Sequence, residues 1–217
     1  MMRAAAMLLG LAVLAGPVFA QGASKPPPGA CEAPAAEHRG QPGCYLTGEL
    51  RVPAPPPELY WHILSFKSEA AAKKEAGRHD LAFLATSHGQ VWLHVLGDET
   101  IKARGGKRMA VVGPIRRTSE KPHIARFLEA DFTPGMKTRT HSHSGPEAFY
   151  VVSGEQCMET PTDRKMLKAG ETYIVERGVH LQAAPKGRKN LVVVLHEEGA
   201  PWTTVHDDWT PTDFCNG

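Results

Sequence analysis

Gly135-Met-Lys-Thr-Arg-Thr-His141-Ser-His143-Ser-Gly-Pro-Glu147-Ala-Phe-Tyr-Val-Val-Ser-Gly154 is the stretch that decides how this chain is read. Two histidines stand two residues apart, a carboxylate follows four residues later, and a glycine stands at each end. Side chains on a strand alternate faces, so His141 and His143 are expected on one side. Ser144-Gly145-Pro146 reads as a turn that swings Glu147 back toward the same point. Two imidazoles and a carboxylate meeting from neighbouring strands make a ligand set for one divalent transition metal ion, with Fe, Mn, Ni, Zn and Cu all compatible.

The residues around this stretch carry the rhythm of a β-protein. From His123 onward, short apolar runs are separated by turn signals at Pro134-Gly135, Ser144-Gly145-Pro146, Gly154-Glu155, Lys168-Ala-Gly170, Gly178 and Pro185-Lys-Gly187. No helical period competes with them. Two of the strands are apolar on both faces: Glu147 to Val152, and the unbroken run Leu191 to Leu195. Such strands need cover outside the barrel as well as inside. Residues 59–113 or a second copy of the chain could supply it, so a homodimer stays open.

The spacing Gly135, His141, His143, Glu147, Gly154 resembles the first motif of the cupin superfamily at all five positions. The resemblance implies a mainly β fold, an antiparallel cupin or jelly-roll barrel holding a metal, here with an N-terminal α+β extension. The second motif of that family is matched in part. Gly170 and Gly178 stand in place, Glu176 replaces a proline, and the third-histidine slot holds Leu181 with a histidine one residue early, at His180. A one-residue slip turns a side chain to the other face unless a shortened turn or a bulge compensates. His180 is therefore either a fourth ligand, with Gln182 on the same inward face, or an outward residue. The resemblance covers roughly residues 122–197.

Three further residues are candidates for substrate binding. Arg139 lies two residues before His141 and would share its face, offering a fork for a carboxylate or phosphate. Phe149 and Gln182 would line the same pocket. The resemblance leaves two functions in play: a metalloenzyme on a small substrate, anionic if Arg139 anchors it, or a non-catalytic metal-dependent protein that binds a small ligand. The first is favoured. Nucleophile elbows, phosphate loops and dinucleotide fingerprints are absent from the sequence.

Residues 1–20 read as a secretory signal peptide, with Arg3 before an apolar run and Val18-Phe19-Ala20 before Gln21. The apolar run is too short for a retained membrane anchor. Losing it removes Arg3 and no acid, taking the net charge from +2 to +1, which does not suggest a nucleic-acid partner. The expected location is periplasmic or secreted, where Cys31, Cys44, Cys157 and Cys215 would form disulfides. Cys31 with Cys44 as a local clip, and Cys157 with Cys215 tying the tail to the barrel, is the first choice among three pairings. The chain then divides into a signal peptide (1–20), a Pro-rich flexible segment (21–57), an extension packing on the barrel (58–120), the barrel (121–200) and a tail (201–217). Within the extension a strand is expected over 59–66, a helix over 69–76 capped by Ser68, and a hairpin over 81–96.

Overall fold

The computed structural model describes residues 31–216. The expectations for residues 1–20 and for the first proline run lie outside them. In chain order the strands are β1 (Gly43–Val52), β2 (Glu58–Phe66), β3 (Ala82–Ser87), β4 (Gln90–Gly97), β5 (Lys107–Arg116), β6 (His123–Phe132) and β7 (Met136–Lys137). They continue with β8 (His141–Ser142), β9 (Glu147–Glu159), β10 (Arg164–Lys168), β11 (Thr172–Val175), β12 (Leu181–Ala184), β13 (Arg188–Glu197) and β14 (Thr204–Val205). One helix, α1 (Glu69–Ala76), follows β2.

The larger sheet runs β1-β6-β13-β9-β12-β7, and β10 and β11 also pair with β9. The curl comes from β9. Its first half pairs with β13 and β11, and its second half with β10 and β12, all antiparallel. Gly154 sits between the halves with φ +78°, and a side chain there would collide with the Gly187 carbonyl. This glycine lets the strand pass from one wall of the barrel to the other, beside a register shift at Lys189/Asn190 in the pairing with β13.

Strand alternation then separates two cores. Leu191, Val193 and Leu195 face outward into a cluster with Ala148 and Tyr150 of β9 and with Trp61, Ile63 and Trp92 of the second sheet. Val192 and Val194 face inward with Leu128, Phe149, Val151 and Met158. The apolar run of β13 is thus covered on its outer side by residues of this same chain. The covering sheet has the order β3-β4-β2-β5, and α1 packs on its far side through Ala72 against Leu64, Leu93 and Val95. Ser68 caps α1 by accepting from Ala71 N, and His88-Gly89, both at positive φ, close the β3–β4 hairpin. Trp61 is fully buried and Trp92 nearly so. At about 25 cal/mol per Å² and 150–250 Å² per ring, each contributes roughly 4–6 kcal/mol of transfer free energy.

The expected flexible segment 21–57 needs correction. Its second half contains β1, a ten-residue strand at the edge of the barrel wall paired with β6 from Gly43↔Asp131 to Val52↔His123. Proline on both sides suggested a linker, but a nonlocal partner and the Cys31–Cys44 disulfide hold it in the sheet. The second disulfide joins Cys157 to Cys215, and no described cysteine is free. No helix among the described residues is long and apolar enough to cross a membrane.

Candidate metal centre

His141, His143, Glu147 and His180 converge inside the barrel, with one potential ligand atom from each lying within 4.8 Å of all the others. Each is delivered by a local device. Gly145 packs so closely on the Leu195 carbonyl that a side chain would collide with it, which seats the Ser-Gly-Pro turn and delivers Glu147 to the start of β9. His141 and His180 form an antiparallel bridge, donating to each other's carbonyls at 3.1 and 2.9 Å. With Gly178 at φ +94°, that bridge puts His180 and Gln182 on the inner face, while Leu181 and Ala183 pack outside with Cys157 and Cys215.

The three imidazoles share one arrangement. Nδ1 of His141 lies 2.8 Å from the Arg139 carbonyl, Nδ1 of His143 lies 2.7 Å from the Trp202 carbonyl, and Nδ1 of His180 lies 3.2 Å from the Gly178 carbonyl. A carbonyl only accepts, so each neutral ring carries its proton on Nδ1 and turns a bare Nε2 lone pair inward. Nε2 of His143 and of His180 are buried with no hydrogen-bond partner, although Glu147 Oε2 is 3.4 and 2.8 Å away; neither pair is aligned as a hydrogen bond. This is the donor pattern of metal-binding histidines, whose second nitrogen is held by a backbone group. Atoms 2.0–2.2 Å from a common ion lie at most about 4.4 Å apart, so closure by a few tenths of an ångström would seat one. Imidazole and carboxylate donors suit Fe, Mn, Ni, Zn or Cu.

Electrostatics favour a charged carboxylate at Glu147 and a neutral ring at His141. Burial alone would raise Glu147, but the facing His143 and His180 outweigh it and hold the carboxyl well below its ordinary range. His141 is pushed down to about 4, chiefly by burial and then by the neighbouring His180. His143 is raised, because the charge and proximity of Glu147 overcome its burial.

A cavity of about 580 Å³ opens beside the cluster, walled by Leu128, Ala130, Phe132, Val192 and Trp202. Gln182 lines it and places its Nε2 3.3 Å from both oxygens of Glu147. Arg139 lines the cavity only at its rim, and Phe149 lies away from it. Arg139 is at the rim with its side chain 69% exposed, paired with Asp207 at 3.0 Å. β7 ends at Lys137 and β8 begins at His141, so alternation does not run through Arg139. Phe149 is fully buried in the inner core and is not among the residues lining the cavity.

The sequence also understated two contributions. Trp202, in the tail, is one of them. Here its carbonyl fixes His143, its ring stacks on that imidazole with centroids 5.4 Å apart, and its Nε1 donates to Glu32. The tail is strapped over the mouth by pairing of β14 with β8. Arg188, never singled out, is buried inside the barrel. Its register with Val192 and Val194 on β13 was the available signal. His196, also on β13, is only 7% exposed.

An antiparallel β-barrel with three inward histidines and one glutamate is the class defined by fold and site. Residues 128–196 match the family model described as a cupin domain. Similar solved structures include a cupin superfamily protein from Desulfitobacterium hafniense, 15% identical with TM-score 0.33, covering 38% of this chain and 74% of that one. A cupin-like protein from Thermotoga maritima is 22% identical, TM-score 0.34, with 38% and 64% covered. Oxalate oxidase in complex with the substrate analogue glycolate is 22% identical, TM-score 0.32, with 37% of this chain and 45% of that chain covered, so the match spans less than half of that enzyme. No curated protein matches the chain.

Proposed function

We propose that this is an exported metalloenzyme that binds one divalent transition metal through Nε2 of His141, His143 and His180 and a carboxylate oxygen of Glu147, and acts on a small ligand admitted to the adjoining cavity. The observation that carries the reading is the shared tautomer: three Nδ1 atoms tied to main-chain carbonyls and three Nε2 atoms left facing one centre. When bound, the metal would supply a Lewis acid or a redox centre. The protein's own groups do the rest. Glu147 brings one buried negative charge and serves as a ligand, not as a base. Gln182 donates to it. The apolar walls and Trp202 flank the centre. Lys137 and Arg139 at the mouth suit an anionic substrate arriving from solvent.

Export is supported by the N-terminal segment and by the two disulfides. The test is metal analysis of protein recovered from its native compartment, followed by turnover assays, including oxygen consumption, with small carboxylic acids. Stoichiometric metal with turnover is the expected result. Tight metal and ligand binding without turnover would convert the proposal to a binding protein. Metal content no higher than in His141→Ala and His143→Ala would overturn it.

A further inference from the structure

The Arg188 side chain is a buried cation in the barrel interior. It is 3% exposed, its guanidinium lies 4.2 Å over the Phe132 ring, and Nε and Nη1 have no hydrogen-bond partner. Its remaining nitrogen, Nη2, donates to Gln182 Oε1 at 3.0 Å. Removing a guanidinium from water costs several kcal/mol, and apolar replacements of buried charges are often neutral or stabilising. Stability does not account for an arginine here.

Its one side-chain hydrogen bond does. A guanidinium only donates and an ionised carboxylate only accepts. Gln182 stands between them, so its carbonyl must face Arg188 and its NH2 must face Glu147, at 3.3 Å from both oxygens. Without Arg188 the amide could flip and present its oxygen to the carboxylate. Arg188 does not line the cavity, and so acts through Gln182. We propose that Arg188 is a positioning residue: it locks the Gln182 amide so that Glu147 is held, by an N–H donor from behind, as an anionic ligand aimed at the centre formed with His143 and His180. The role rests on the metal-binding reading above. Burial lowers the guanidinium to about 9 against the attraction of Glu147, so it remains a cation at neutral pH.

The test uses the full mature chain and zinc as the probe, with affinity measured by competition against a chromophoric chelator. Arg188→Met should weaken zinc binding 10–100-fold, the usual loss for a group supporting a ligand, with a thermal midpoint equal to or above wild type. Arg188→Lys, which keeps a cationic donor, should recover to within about 5-fold, since the lost contact is a single N–H and not a fork. Gln182→Met should match Arg188→Met, and the double variant should be no worse than either, because coupled residues are non-additive. A second readout is the Gln182 side-chain NH2 pair in ¹⁵N–¹H spectra of metal-free protein, expected away from free-amide positions in wild type and in Arg188→Lys. Multiplying losses in the double variant, or wild-type zinc affinity in Arg188→Met, overturns the proposal. So does a wild-type Gln182 pair at free-amide positions with fast rotation, which needs no variant to fold. If the wild-type protein takes up no zinc, the metal reading fails, and the amide signature still decides whether the lock exists.

Discussion

The two faces of β13 show how differently one strand can be used. Leu191, Val193 and Leu195 enter a core of tryptophans and aliphatic side chains against the covering sheet. Arg188, Asn190 and His196, with Val192 and Val194, enter the barrel, which also buries Glu147, Gln156, His180 and Gln182. The outer core is made of groups that gain by leaving water. The inner one holds groups that lose by it and are only partly compensated: Arg188 Nε and Nη1, Asn190 Oδ1, His143 Nε2, His180 Nε2 and His196 Nε2 are buried without partners. The barrel interior has an apolar cluster of its own, but it also carries these uncompensated groups around the His/Glu cluster.

The comparison can be broken most directly in the outer core. Trp61→Ala should cost about 3–5 kcal/mol of unfolding free energy by denaturant titration, as large-to-small aromatic changes do, while the folded fraction keeps its zinc affinity. A comparable loss of zinc affinity at low denaturant would mean that the two cores are not separable.

Removing the Cys157–Cys215 disulfide by Cys157→Ala with Cys215→Ala should cost about 2–4 kcal/mol. It also frees the tail that carries Trp202 to His143, so zinc affinity should fall as well. Removing Cys31–Cys44, which spans 13 residues against 58, should cost less, in keeping with the shorter loop.

Inside the barrel the order reverses. His180→Ala should weaken zinc binding at least 10–100-fold, about 1.4–2.8 kcal/mol, and by about as much as His141→Ala. Wild-type zinc retention in His180→Ala would leave a centre of three ligands.

A further expected effect is a slope with pH. His94, fully buried against Trp61 and Phe83, is pushed down to about 3 by burial. Its folded form stays neutral while the unfolded form takes a proton below the ordinary value of about 6.5. Stability contributed by the neutral ring is therefore complete above that value and falls as pH drops toward 3, by about 1.4 kcal/mol per pH unit. His94→Gln, which can still accept from Trp61 Nε1, should flatten this slope in urea titrations between pH 6.5 and 4. An unchanged slope would move the acid sensitivity to the barrel interior.

Much of the molecule was legible before any coordinates. The helix Glu69–Ala76, its Ser68 cap and the β3–β4 hairpin follow from local chemistry, the antiparallel barrel from the family resemblance, and the two disulfides are the pairing preferred among three. Less legible were the places where local pattern and long-range pairing disagree. β1 looked like linker because prolines flank it. Arg139 looked inward because alternation was carried across a gap between strands.

What the sequence determined by itself was the composition of the centre. His141, His143 and Glu147 stand at a spacing that a two-residue strand, a turn and the start of a long strand convert into proximity, and Gly145 and Gly154 supply the backbone that this needs. What only the tertiary structure decided was how that centre is completed and held. Whether His180 faces in depends on its bridge to His141, 39 positions earlier. The tautomer of His143 depends on a carbonyl in the tail, and the orientation of Gln182 on an arginine of another strand. Local sequence sets which way a backbone can turn. The protonation and aim of a buried side chain are set by whichever donors and acceptors the whole fold brings to it.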